Sequence, residues 1–81
     1  MAKWDKFKAR LLSKRADQNI DFEQLRSFLA HLGFEEDING SHHIFSREDV
    51  EEIITLQPRA DGKAKAYQVK QVRRIVEDYD L

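Results

Sequence analysis

Apolar positions near the start of the chain recur at helical spacing. Trp4, Phe7, Leu11 and Leu12 form one stripe over about residues 2–14, with charged positions between them. A second stripe, Phe22, Leu25, Phe28, Leu29 and Leu32, has clearer ends. Asp21 stands where its carboxylate can accept from the free amides of a first helical turn. Gln24 completes the spacing of a capping box, and Ile20 with Leu25 has that of a hydrophobic staple. Gly33 follows where a left-handed residue ends a helix, so a helix is predicted over 22–32. The period then changes to two. Phe34–Ile38 reads as a strand, and Asn39-Gly40 as a type I′ hairpin turn with positive φ at both residues. Ser41–Ser46 is the returning strand, and Arg47-Glu48-Asp49 a polar turn. Glu52–Gln57, β-branched and apolar, is a third strand stopped by Pro58. Arg59–Ala66 is a polar loop around Asp61-Gly62. Val69, Val72, Ile75, Val76 and Tyr79 then restore helical spacing to about residue 79.

Helix, helix, three-stranded meander, helix is an α+β pattern, with helices packed on one face of an antiparallel sheet. The opposite face is left open for function. At 81 residues the chain is expected to be one domain, 1–81. Hydrophobic residues make up 41% and charged residues 36%, a globular and well-solvated balance rather than a disordered one. No apolar run approaches the roughly 20 residues of a membrane span, so no membrane association is expected. The charged N-terminus lacks a signal-peptide core. With no cysteine, disulfides, thiolate metal sites and cysteine catalysis are excluded. A cytoplasmic protein is the expectation.

The net charge of −1 says little, but its distribution says more. Met1–Arg15 carries six basic residues against one acid, and Arg59–Arg74 again six against one. Glu35–Glu52 between them holds seven acids and one base, Arg47. Two basic stretches are the footprint of a polyanion-binding protein, although solvated helix faces give the same pattern.

His42 and His43 are adjacent, and neighbouring residues of a strand face opposite ways. If Phe45 belongs to the core, His43 shares its face and His42 projects from the open one. Opposite-facing imidazoles cannot grip one ion, and no further His or Cys completes a zinc shell with His31; no metal and no cofactor is expected. Two readings remain: a structural or surface pair, or a proton shuttle working near neutral pH. Ser41 and Ser46 lie in no nucleophile elbow, and no glycine loop cradles phosphate.

The run Phe22–Tyr79 resembles the HicA family, small mRNA interferases of bacterial type II toxin–antitoxin systems. The resemblance is carried by a helix ending Leu32-Gly33-Phe34, then Gly40-Ser41-His42-His43-Ile44-Phe45 and a strand ending Leu56-Gln57-Pro58. Gly62-Lys63-Ala64-Lys65-Ala66-Tyr67-Gln68-Val69 follows, before a basic helix. It covers roughly the last 60 residues. It implies a double-stranded-RNA-binding-domain-like fold, α-β-β-β-α, over residues 21–81, with residues 1–20 as an extra helical extension. It also implies a metal-independent endoribonuclease that cleaves mRNA and is neutralised by a HicB antitoxin. The family's histidine maps onto His42, with His43 the second choice. Gly40, Ser41, Lys63, Lys65 and Lys70 are the expected RNA contacts, with Arg73 and Arg74 behind them. A non-catalytic RNA-binding module and a protein-interaction domain are the alternatives on the same fold. Ala66 stands where many relatives carry proline, which loosens the expected helix start.

Overall fold

The computed structural model describes residues 3–81. Their elements are α1 (Lys3–Leu12), α2 (Phe22–His31), β1 (Glu35–Asn39), β2 (His42–Arg47), β3 (Val50–Leu56) and α3 (Ala66–Asp78). The three strands form an antiparallel sheet in the order β1-β2-β3. This is the α+β arrangement expected from the pattern, with α1 added before the α-β-β-β-α order. The expected start of the first helix, near Ala2, lies outside the described residues.

Local chemistry sets the ends of α2. Asp21 Oδ2 accepts from the Gln24 amide at 3.2 Å, satisfying one of the unpaired first-turn donors. Ile20 and Leu25 are both fully buried, as a staple requires. At the other end Gly33 takes φ +93°. Its amide bonds the Ala30 carbonyl and the Phe34 amide bonds the Leu29 carbonyl, both at 3.0 Å. That pair is a Schellman motif, and Phe34 packing with Leu29 is its hydrophobic clasp. Phe34 is therefore spent on helix termination and core, and β1 begins one residue later than the alternation predicts.

The hairpin differs from expectation by one residue. Asn39 pairs with His42, so the two-residue loop is Gly40-Ser41 and not Asn39-Gly40. Of these only Gly40 has positive φ, +65°, which is the requirement of a type II′ turn rather than I′. A Cβ on Gly40 would meet no atom within 4 Å; the glycine is needed for its backbone, not for space. Strand β3 also starts earlier than expected, at Val50, because Val50 is buried and pairs with Arg47 past a register shift.

Phe45, Ile54 and Leu56 are fully buried on the helix-covered face of the sheet, against Leu25, Phe28, Leu29, Val69 and Val72. Each contributes about 1.5–3 kcal/mol of burial. The segment after β3 is sewn to the start of α2: Phe22 N donates to the Gly62 carbonyl at 3.0 Å and Ala64 N to that of Ile20 at 2.8 Å. Helix α1 docks through Phe7 and Leu11, with Trp4 and Phe7 against Phe28 at 5.9 and 4.9 Å between ring centroids. Arg73 is buried in this junction. Its guanidinium grips Asp17 at 2.7 and 3.2 Å and the Leu11 carbonyl at 3.3 Å. The expectation of Arg73 as an RNA contact is therefore corrected: it is a structural clamp between α3 and the α1–α2 connection.

Candidate functional site

Strand parity separates the two histidines as the buried Phe45 requires. His42 is exposed on the open face at the first position of β2, beside the Gly40-Ser41 turn. His43 is half-buried on the opposite face. Its ring meets the Phe22 ring edge-on at 5.0 Å, and its Nδ1 lies 2.8 Å from Glu36 Oε2. Glu36 is in turn held by Arg26, Nε to Oε2 at 2.7 Å and Nη2 to Oε1 at 3.0 Å. Hydrogen bonding from Arg26, assisted by that from His43, holds the Glu36 carboxyl below the usual carboxylate range despite partial desolvation. An imidazole whose Nδ1 donates to an anchored carboxylate has its tautomer and ring orientation set.

The turn before His42 is connected to the start of α3 by a residue that the sequence marks only within the strand end Leu56-Gln57-Pro58 and gives no role. Gln57 Nε2 donates to Ser41 Oγ at 3.0 Å, and Lys65 Nζ donates to Gln57 Oε1 at 3.3 Å. Gln57 is itself fixed: its amide donates to Gln68 Oε1 at 3.1 Å, and Gln68 is buried. Lys65 occupies the N-cap of α3 without capping it through its side chain, since an ammonium has donors and no acceptor. The hydrophobic pattern marks Gln57 only as the end of a strand. Its parity, one residue past buried Leu56, is the signal that it faces the His42 side.

The expected RNA contacts separate accordingly. Gly40, Ser41 and Lys65 converge on the His42 turn. Lys63 lies instead beside Asp21, with which it forms an isolated bridge, next to the Phe22 that packs on His43. Lys70 is exposed on α3, and no hydrogen bond or ion pair among the described residues ties it to the site. Arg74, paired at 3.7 Å with Asp78, is likewise exposed. The open sheet face itself is not basic. Glu35, Asp37 and Glu51 stand on it with Ile44, Ile53 and Thr55, and no lysine or arginine from these positions joins them. A cleft of about 850 Å³ lies at the far end of the sheet from His42, lined by Gly33, Glu35, Ser46, Arg47, Glu48 and Asp49. Among the described residues no three His, Cys, Asp or Glu side chains converge as a metal site would need.

A turn-borne histidine, next to a hydroxyl that one amide joins to an ammonium, on an α-β-β-β-α scaffold, is compatible with phosphodiester chemistry. The family comparison decides the kinship: the model described as the HicA toxin of bacterial toxin–antitoxin systems matches residues 22–77. This chain belongs to the HicA toxin family. No curated protein and no solved structure matches it. The HicA match includes α2, the hairpin with both histidines, the Gln57–Lys65 segment and most of α3, and leaves α1 outside it. No helix among the described residues is long and apolar enough to cross a membrane.

Proposed function

We propose that this HicA-family chain is a metal-independent endoribonuclease acting on mRNA in the cytoplasm, with His42 as its proton-transfer group. The observation that carries the reading is the Gly40-Ser41-His42 turn tied through Gln57 to the Lys65 ammonium. Cleavage requires that the 2′-hydroxyl lose its proton as its oxygen bonds to phosphorus. The leaving 5′-oxygen must gain a proton as its bond to phosphorus breaks. One positioned imidazole serves either transfer, for about 10²–10⁴-fold, with solvent water taking or giving the other proton. Lys65, with the Ser41 hydroxyl, meets the extra negative charge on the phosphoryl oxygens. His43 is the second choice, favoured by the Glu36 contact that fixes its Nδ1 and leaves Nε2 for proton transfer.

The helical extension 1–20 and the core 21–81 act as one unit in this reading. A HicB-type antitoxin covers the His42 face, the simplest way to keep RNA from the imidazole. Controlled expression tests the function: the parent arrests growth and His42→Ala, at matched protein level, does not. Arrest that persists with both His42 and His43 replaced by alanine rules out histidine chemistry. No arrest from a folded, soluble parent moves the reading to a non-catalytic RNA-binding or protein-interaction domain.

A further inference from the structure

Helix α1 lies outside the family match and, like Lys63, Lys65 and Lys70, carries cations with no carboxylate partner among the described residues. Every arginine after residue 15 is ion-paired: Arg26, Arg47, Arg59, Arg73 and Arg74. Among the described residues, none of the six cations in the first 15 pairs with an Asp or Glu side chain, although Lys8 Nζ donates to the Leu81 main-chain oxygen at 2.8 Å. Those on the outer face of α1 are Lys3, Lys6 and Arg10, at the three- and four-residue spacing that aligns side chains along a helix. Together with Trp4, Phe7 and Gln24 they line a cleft of about 200 Å³ that contains no carboxylate. Asp5, the one acid of the helix, is not among its lining residues.

This row is continuous with the candidate site. Arg10 Nη2 donates to the Asn19 carbonyl at 2.8 Å. Two residues further on, the backbone of Asp21 pairs with that of Lys63 in an isolated antiparallel β-bridge. From there the chain leads directly to Lys65 and, through Gln57, to the His42 turn. The sheet face offers no such path, since its exposed charges are Glu35, Asp37 and Glu51. An RNA strand leaving His42 is repelled across the sheet and attracted toward the Lys63 loop and α1.

We propose that the outer face of α1, through Lys3, Lys6 and Arg10, is a second phosphate-binding surface for single-stranded RNA, extending the binding track from the His42 turn past Lys63. This rests on the reading of RNA as the substrate. The surface meets the RNA backbone and is independent of base sequence. Trp4 is not a base-stacking platform, because its ring already stacks on His31 at 5.4 Å and has the Lys3 ammonium 4.8 Å from its centroid. It is the scaffold that holds the row in place.

The test uses the parent chain and 2′-O-methyl RNA, which lacks the 2′ nucleophile and stays intact. At about 3.4 Å per stacked nucleotide, a six-nucleotide strand spans about 20 Å and cannot cover the 33 Å body; a 20-mer can. The parent binds the 20-mer more tightly than the 6-mer. In Lys3→Gln/Lys6→Gln/Arg10→Gln that length advantage disappears, and the slope of log K against log salt falls by about 2, at roughly 0.7 for each phosphate no longer neutralised. Lys3→Glu/Lys6→Glu, which retains the Arg10–Asn19 bond, likewise removes the length advantage and guards against a folding artefact. An unchanged slope and length advantage in a folded variant overturns the proposal while leaving the ribonuclease reading intact. No binding of either RNA by the parent at low salt overturns both. Loss of poly-glutamate binding with RNA binding retained overturns it in favour of an acidic protein partner.

Discussion

Arg73 is a candidate RNA contact by sequence and a buried clamp in the fold, and the two roles differ by a measurable free energy. Its side chain is 9% exposed and that of Asp17 is 15% exposed. Replacing it with Met keeps the apolar stem but strands the Asp17 carboxylate and the Leu11 carbonyl. Breaking a buried pair by removing one partner costs about 3–5 kcal/mol. A chain of this length has about 4–12 kcal/mol of stability in total. Urea unfolding followed by far-UV circular dichroism should therefore show Arg73→Met near the edge of folding. Its melting temperature should fall by at least about 12 °C, at about 4–8 °C per kcal/mol. Adding Asp17→Leu removes the orphaned charge and should restore much of the stability, because an apolar replacement of a buried pair is often neutral. An exposed RNA contact would instead change stability by less than about 0.5 kcal/mol. Such a small effect for Arg73→Met, or a double variant no better than the single one, would refute the clamp.

Two further outcomes follow from the polar networks. The Glu36 carboxyl titrates lower in the folded chain than in the unfolded one, so the unfolded state takes up the proton first as pH falls. Its contribution is fully present above the ordinary carboxylate range and is lost below it; acid unfolding curves of Glu36→Gln should show a shallower decline there than the parent, and parallel curves would contradict this. Gln57→Leu cuts the link between Lys65 and Ser41 and should weaken stabilisation of the charge that develops on the phosphoryl oxygens, lowering kcat for RNA more than it raises KM, with unchanged kinetics the contrary result.

What is legible in the sequence, and what is not, divides along local and non-local physics. The ends of α2 are readable because Asp21, Ile20 and Gly33 act on neighbours within a few residues. The open-face placement of His42 is readable for the same reason: once Phe45 is core, strand parity leaves no choice. The hairpin slips by one residue because Asn39-Gly40 favours a type I′ turn locally, whereas pairing of Asn39 with His42 is set by the whole ladder. Arg73, Glu36 and Gln57 are opaque because their partners are 56, 10 and up to 16 residues away. Composition shows that a cation or an amide is present, not which distant group it meets. The charge blocks are visible in the sequence, but only the fold shows that Glu35, Asp37 and Glu51 share the open sheet face with His42 while Lys65 reaches its turn through Gln57.

Metal-free cleavage of RNA by His42 is the step on which the ribonuclease reading depends. The decisive measurement is cleavage of a defined single-stranded RNA by the purified chain in excess EDTA, beside His42→Ala with its fold verified by circular dichroism. Cleavage by the parent in EDTA, reduced about 10²–10⁴-fold in the variant, is the expected outcome. Undiminished cleavage by His42→Ala, or cleavage that EDTA abolishes, would contradict it.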